Sequence, residues 1–147
     1  MRALIQRVSS ARVTVDGEET GAIGAGLLVF VAIHKEDTVK DGEWITHKLL
    51  ALRVFEDEAG KMGRSVVDTG GQILIVSQFT LYGNLNKGTR PDFSASMPGA
   101  AAKTFYETWI KQFRQNCQLK VEEGRFAATM AVQLVNDGPV TLMIDSR

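Results

Sequence analysis

Apolar and β-branched positions in the first quarter of the chain come in short pieces that alternate with polar ones. The stretch MRALIQRVSSARVTVDGEETGAIGAGLLVFVAIH is punctuated by Asp16-Gly17 and by Gly21, Gly24 and Gly26, and it reads as two or three strands. Within it GLLVFVAI is apolar at nearly every position, the pattern of a strand covered on both faces. The period then lengthens. In TVKDGEWITHKLLALRVF, Trp44, Ile45, Lys48, Leu49 and Leu52 lie at helical spacing, which predicts a first helix capped by Thr38 or Asp37.

FEDEAGKMG has the composition of a hairpin connection, and QILIV is a second wholly apolar strand that runs into SQFTL. In PGAAAKTFYETWIKQFRQN, Phe105, Trp109 and Phe113 recur every four residues. Ala101, Ala102 and Ile110 widen that stripe into a helix face, and Pro98 stands where a missing amide costs least. LKVEEG, TMAVQLVN and PVTLMIDS read as three more strands. About seven strands and two helices without strict alternation predict an α+β fold. The expectation is a single domain over residues 1–147, with antiparallel or mixed β-sheets, sandwich or barrel-like, and two flanking helices.

Composition adds limits. A chain of 147 residues with 44% hydrophobic positions is long enough to bury a sizeable core. The lone Cys117 excludes an internal disulfide, and neither a leader nor a membrane-length apolar run is visible, so a soluble, cytoplasmic protein is expected. The 17 basic and 17 acidic residues cancel, which argues against a broad basic face tracking DNA or a long RNA. Any nucleic acid would be touched locally, with Lys87 and Arg90 in KGTRP, or Arg2, Arg7 and Arg12, as candidates.

The catalytic signatures searched for are missing: there is no GxSxG, P-loop, HExxH, CxxC or GxGxxG. GAIGAG precedes a strand rather than a helix, so no helix N-terminus would meet a phosphate there. His34 and His47 lack ligand spacing and a neighbouring nucleophile, Cys117 lacks a neighbour to activate it, and neither a metal nor a cofactor is expected. Chemistry would then rest on backbone groups, hydroxyls or the substrate itself. Two polar interruptions of apolar strands stand out. Ser77, Gln78 and Thr80 break ILIVSQFTL where the strand should end, either as part of a site or as a turn bonding its own backbone. NDGPVT, Asn136 to Thr141, puts a proline where a ladder needs a donor, which marks an edge, a bulge, a strand start or a simple turn.

Taken together, SQFTL at 77–81 and NDGPVT at 136–141, with QRVSSARVTVDG before them and KGTRPDF between, resemble the D-aminoacyl-tRNA deacylase family along the full chain. Ala32 and Asp92 depart from the family's commoner residues outside the motifs. The resemblance implies hydrolysis of the ester that joins a D-amino acid to the 3′ CCA end of tRNA, with glycine mischarged onto alanine tRNA as a further substrate. It implies a homodimer in which Ser77, Gln78, Phe79 and Thr80 of one subunit meet Gly138 and Pro139 of the other. Those two residues would be joined by a cis peptide bond, with Asn136 in the same motif and Arg7 as the brace of the loop.

A physical rationale accompanies that implication. Backbone carbonyls suit an α-ammonium, which only donates. With ammonium and ester carbonyl fixed, an L side chain would strike the Gly-Pro backbone and a D side chain would point into open space, so glycine should pass. Amides near Phe79 and Thr80 would hold the oxyanion. The substrate's 2′-hydroxyl is the preferred activator of water, with Thr80 secondary. Phe79 would stack on the terminal nucleoside or else pack in the core. The rival readings are a non-catalytic RNA-end binding module and an editing domain of another specificity.

Overall fold

The computed structural model describes residues 1–147. Strand β1 (Arg2–Val15) is the organising element. It pairs antiparallel with β2 (Glu18–Ile23) through its C-terminal half and with β3 (Gly26–Ala32) through its N-terminal half. Its other edge carries β8 (Ala131–Asp145) along nearly its whole length. β6 (Gln72–Ser77) then lies parallel to β3, and β7 (Val121–Glu123) lies parallel to β6, so the sheet is mixed. A Cβ built on Gly21 of β2 would sit 2.7 Å from the Glu123 carbonyl of β7, so the two ends of the sheet meet and the barrel is nearly closed.

The two apolar strands explain themselves in this setting. Leu27, Val29, Val31, Ile73 and Ile75 face one cluster with the helices, while Leu28, Leu74 and Val76 face a second cluster inside the barrel with Val8, Val13 and Ile23. Both sides are covered, so both alternating sets must be apolar. Helix α1 (Val39–Ala51) and helix α3 (Gly99–Gln115) form the outer layer. Trp109 of α3 donates from Nε1 to the Gly42 carbonyl and to Thr46 Oγ1 of α1 at 3.0 and 2.9 Å, so its one polar group is satisfied inside the contact. A Cβ on Gly42 would come within 2.8 Å of that indole, which is why glycine fits there.

Thr38 is the N-cap of α1, and Asp41 returns its carboxylate to the Thr38 amide at 2.8 Å. Burial alone would raise the Asp41 carboxyl, but hydrogen bonds from Thr38 and Ser146, together with the N-terminal ammonium, hold it at about 2. Asp37, the other cap candidate, instead accepts from the His34 amide at 2.6 Å and pairs with the Met1 ammonium at 2.7 Å.

Three expectations need correction. The first helix ends at Ala51, and Arg53–Glu56 forms a strand, β4, that pairs with β5 (Met62–Ser65) across the FEDEAGKMG hairpin. A short helix, α2 (Val66–Thr69), follows, capped by Ser65 and closed by Gly70 in the left-handed region, so the helices number three rather than two. TMAVQLVN and PVTLMIDS are a single strand, β8, because β1 is long enough to pair with both pieces. No helix is long and apolar enough to cross a membrane.

Candidate functional site

The C-terminal ends of the parallel strands β3 and β6 open on a cavity of about 680 Å³. Crevices beyond the carboxyl ends of parallel strands are common ligand sites, because chain reversal there leaves polar groups at the mouth of an apolar core. Val31, Ala32 and Ile33 continue β3 into one wall, and Ser77, Gln78 and Phe79 continue β6 into the next. Met130 just before β8, Val132 within it and Tyr106 of α3 close it, so the lining is mostly apolar. Burial, reinforced by Glu123, moves the Tyr106 phenol above its usual range and keeps its proton in place. Ala127, also on the wall, has φ of 60°, a left-handed conformation that costs a non-glycine residue about 1 kcal/mol or more.

Residues Phe79–Tyr82 form one 3-10 turn at the rim. The Gln78 amide donates to the Val31 carbonyl at 2.7 Å, which ties the motif to β3. The Gln78 side-chain amide donates to Thr80 Oγ1. Ser96 donates from its hydroxyl to the Phe79 carbonyl at 3.1 Å, and the Phe79 ring meets Phe93 edge to face at 5.1 Å. Phe79 is nevertheless 57% exposed, so its ring stands at the mouth rather than in the core. The Phe79 and Thr80 amides open a helical turn, a position that offers them no partner within the turn.

The second motif lies elsewhere on the chain. In the pairing of β1 with β8, Gln6 faces Thr141 and Val8 faces Asn136, so Asp137 to Val140 stand opposite Arg7 alone. This bulge resolves the conflict between strand and Gly-Pro. Val140 turns into the core at 3% exposure, and Asn136 to Pro139 are pushed into solvent. The Gly138–Pro139 peptide bond is cis. Arg7, itself only 7% exposed, donates from Nε to the Asp137 carbonyl at 3.1 Å and to its carboxylate at 3.0 Å, while Nη1 bonds the Val54 carbonyl. Gly138 and Pro139 line no part of this chain's own cavity, so one chain brings Ser77, Gln78, Phe79 and Thr80 together but not the two motifs.

The histidines stay apart from the cavity lining. His34 packs its ring against Tyr82 at 5.3 Å and His47 is exposed on α1. No three His, Cys, Asp or Glu side chains are grouped as metal ligands would be. Sequence reasoning missed Phe93, Ser96 and Tyr106. Only the helical phase of Tyr106 hinted at burial, and nothing local marked the other two.

A mixed, nearly closed barrel with an apolar cleft and a polar turn at the ends of its parallel strands places this chain among α+β folds with a candidate small-ligand site at those strand ends. The particular family follows from the sequence, which matches the model for D-Tyr-tRNA(Tyr) deacylase over residues 4–145. A D-aminoacyl-tRNA deacylase of Thermotoga petrophila is 52% identical across 99% of this chain and 97% of its own. One from Anaeromyxobacter dehalogenans is 52% identical across 100% and 98%. The solved structure of the c-Myc DNA Unwinding Element Binding Protein covers 100% of this chain and 99% of its own, at 46% identity and a TM-score of 0.95. A probable eukaryotic D-amino acid tRNA deacylase shares the fold at 17% identity and a TM-score of 0.84, over 97% of each chain. The chain belongs to the D-Tyr-tRNA(Tyr) deacylase family, whose curated members are hydrolases of the aminoacyl-tRNA ester.

Proposed function

We propose that this protein hydrolyses the ester of D-aminoacyl-tRNA, releasing a free D-amino acid and tRNA, and that it also accepts glycyl esters. The observation that carries the reading is the split site. A polar turn at the mouth of an apolar cavity lacks any wall from its own Gly-Pro loop, and that loop is held out into solvent by a buried arginine. A second copy supplies the missing wall. The outer edge of β8 favours such pairing, since it has no strand partner and exposes Val135, Leu142 and Met143 at 58%, 41% and 52%.

In this arrangement the apolar cavity takes the terminal nucleoside with Phe79 against its base or ribose, and the ester lies over the SQFTL turn. The amides of Phe79 and Thr80 face the developing oxyanion. Backbone carbonyls of the partner's Gly-Pro loop receive the α-ammonium, and the same backbone excludes an L side chain by collision. Thr80 has Gln78 beside it and no general base, so the substrate's 2′-hydroxyl is the better activator of water. A chain without net charge suits an enzyme that holds the CCA end common to many tRNAs, in the cytoplasm, without tracking their bodies.

One assay separates the readings: purified protein is incubated with D-Tyr-tRNA, L-Tyr-tRNA and Gly-tRNA, and free tRNA is measured. Release from the D and glycyl forms alone is expected. No release from any would leave a binding module, and release from the L form would defeat the chiral mechanism. A Thr80→Ala variant that is dead while a 2′-deoxy substrate is still cleaved would overturn substrate assistance.

A further inference from the structure

We infer that Arg2, at the first position of β1, is a positioning residue for the SQFTL turn; the inference rests on the deacylase reading above. Its guanidinium makes three kinds of contact at once. Nη1 donates to the Leu81 carbonyl at 2.8 Å, next to the last residue of the 3-10 turn. Nε and Nη2 reach the same oxygen of Asp145, the last residue of β8, at 2.9 and 2.8 Å. Its Cζ lies 4.6 Å from the centroid of the Tyr82 ring, which closes the turn. A planar fork can hold a carbonyl, a carboxylate and an aromatic face together, whereas a lysine ammonium is a single point charge.

The placement gives Arg2 a function beyond a surface ion pair. The start of the motif is fixed independently, by the Gln78 amide on Val31 and by Ser96 on the Phe79 carbonyl. The end of the turn is where Arg2 acts, on the residue after Thr80 and on Tyr82, whose ring is 7% exposed. The Tyr82 hydroxyl is buried without a hydrogen-bond partner, so the ring is seated by its faces and edge, against Arg2 and His34, and not by its oxygen. Arg2 therefore links the strand that carries NDGPVT to the turn that carries Thr80, through Asp145 at one end and Leu81 at the other. Loss of this bracket leaves the fold and the cavity standing but lets the turn drift relative to the ester, which reduces turnover more than binding.

The test is steady-state deacylation of D-Tyr-tRNA by Arg2→Ala, with melting temperature and amide NMR spectra recorded on the same samples. kcat should fall by about tenfold with KM within about twofold, the loss expected of a misplaced but present group. Arg2→Lys should recover part of it, since an ammonium can reach one acceptor but cannot bridge both. The Thr80 and Leu81 amide resonances should move while those of β7, which does not pair with β1, stay in place. An unchanged kcat, or a loss that follows the unfolded fraction and vanishes at a lower assay temperature, overturns the inference. Should Arg2→Ala fail to fold, Arg2→Met, which keeps the packing of the stem, is judged by the same criteria. Wild-type protein that leaves D-Tyr-tRNA intact would defeat the deacylase reading itself, whereas an active wild type with an equally active Arg2→Ala defeats only the positioning role.

Discussion

The two signature motifs are held by opposite means. SQFTL emerges from β6, whose inner residues are fully buried, and its Gln78 amide is tied to the neighbouring β3. NDGPVT is a solvent-exposed bulge on an edge strand, kept in shape by one buried arginine from a neighbouring strand. The cavity end is thus an extension of the core, and the loop is an attachment to it. In the proposed site, this division would keep a rigid reaction surface while the specificity element sits where a second chain could use it.

The largest effect should come from cutting the attachment. Arg7→Ala removes a buried donor, leaves the Val54 carbonyl without its partner and frees the bulge. Urea unfolding should show a loss of about 2 kcal/mol, and D-Tyr-tRNA deacylation should drop by about a hundredfold. If activity falls no further than stability explains, the loop is not a recognition element.

Gly138→Ala tests the loop with the brace intact. A Cβ there would lie 2.5 Å from the Asn136 side-chain amide, which is exposed and can swing away. Stability should change by less than about 1 kcal/mol, while deacylation falls about tenfold because the added methyl enters the recognition backbone. Equal losses in both measurements would erase the contrast between fold and loop.

On the other half, Phe79→Ala removes a ring that is mostly exposed and touches Phe93 edge to face. A cost of about 1 kcal/mol or less is expected, together with a KM raised several-fold, roughly the value of one stacked base. A wild-type KM would place the nucleoside elsewhere.

The smallest effect is acidification. The folded Asp41 carboxyl titrates at about 2, below its ordinary 3.8, so its stabilising share is present above pH 3.8 and is lost as the pH falls toward 2. The loss should be about 1 kcal/mol in thermal melts after allowance for solvent screening, and Asp41→Asn should flatten the slope. Asp41 holds Ser146, just beyond β8, at 2.7 Å, so acid should loosen the end of that strand and spare the bulge.

Much of this was legible in the chain. The faces of α1 and α3, the doubly apolar β3 and β6 and the DG turn follow from periodicity and turn chemistry, because each reports local burial. Two short elements escaped. RVFE is only four residues long and continues the apolar phase of α1. VVDT is β-branched and becomes a helix because the Ser65 and Asp68 capping box overrides its propensity. The site was legible as motifs but not as a place. Phe93 and Ser96 reach the Phe79 turn from a separate loop, and no spacing rule connects them to it.

The chain by itself determined the two long helices, the long apolar strands, the faces they bury and the two polar motifs that interrupt the apolar pattern, since those depend on neighbours a few positions away. Only the tertiary structure decided that NDGPVT is a bulge within one strand and not a break between two. It also decided how Arg7, 130 residues distant, grips that bulge, through the Asp137 carbonyl and carboxylate with Val54 behind, and that SQFTL faces a cavity closed by α3 and β8. Those outcomes depend on strand register and on which chain segments meet across the barrel. Local propensity carries no information about either, because the pairing energy exists only once distant residues are brought side by side.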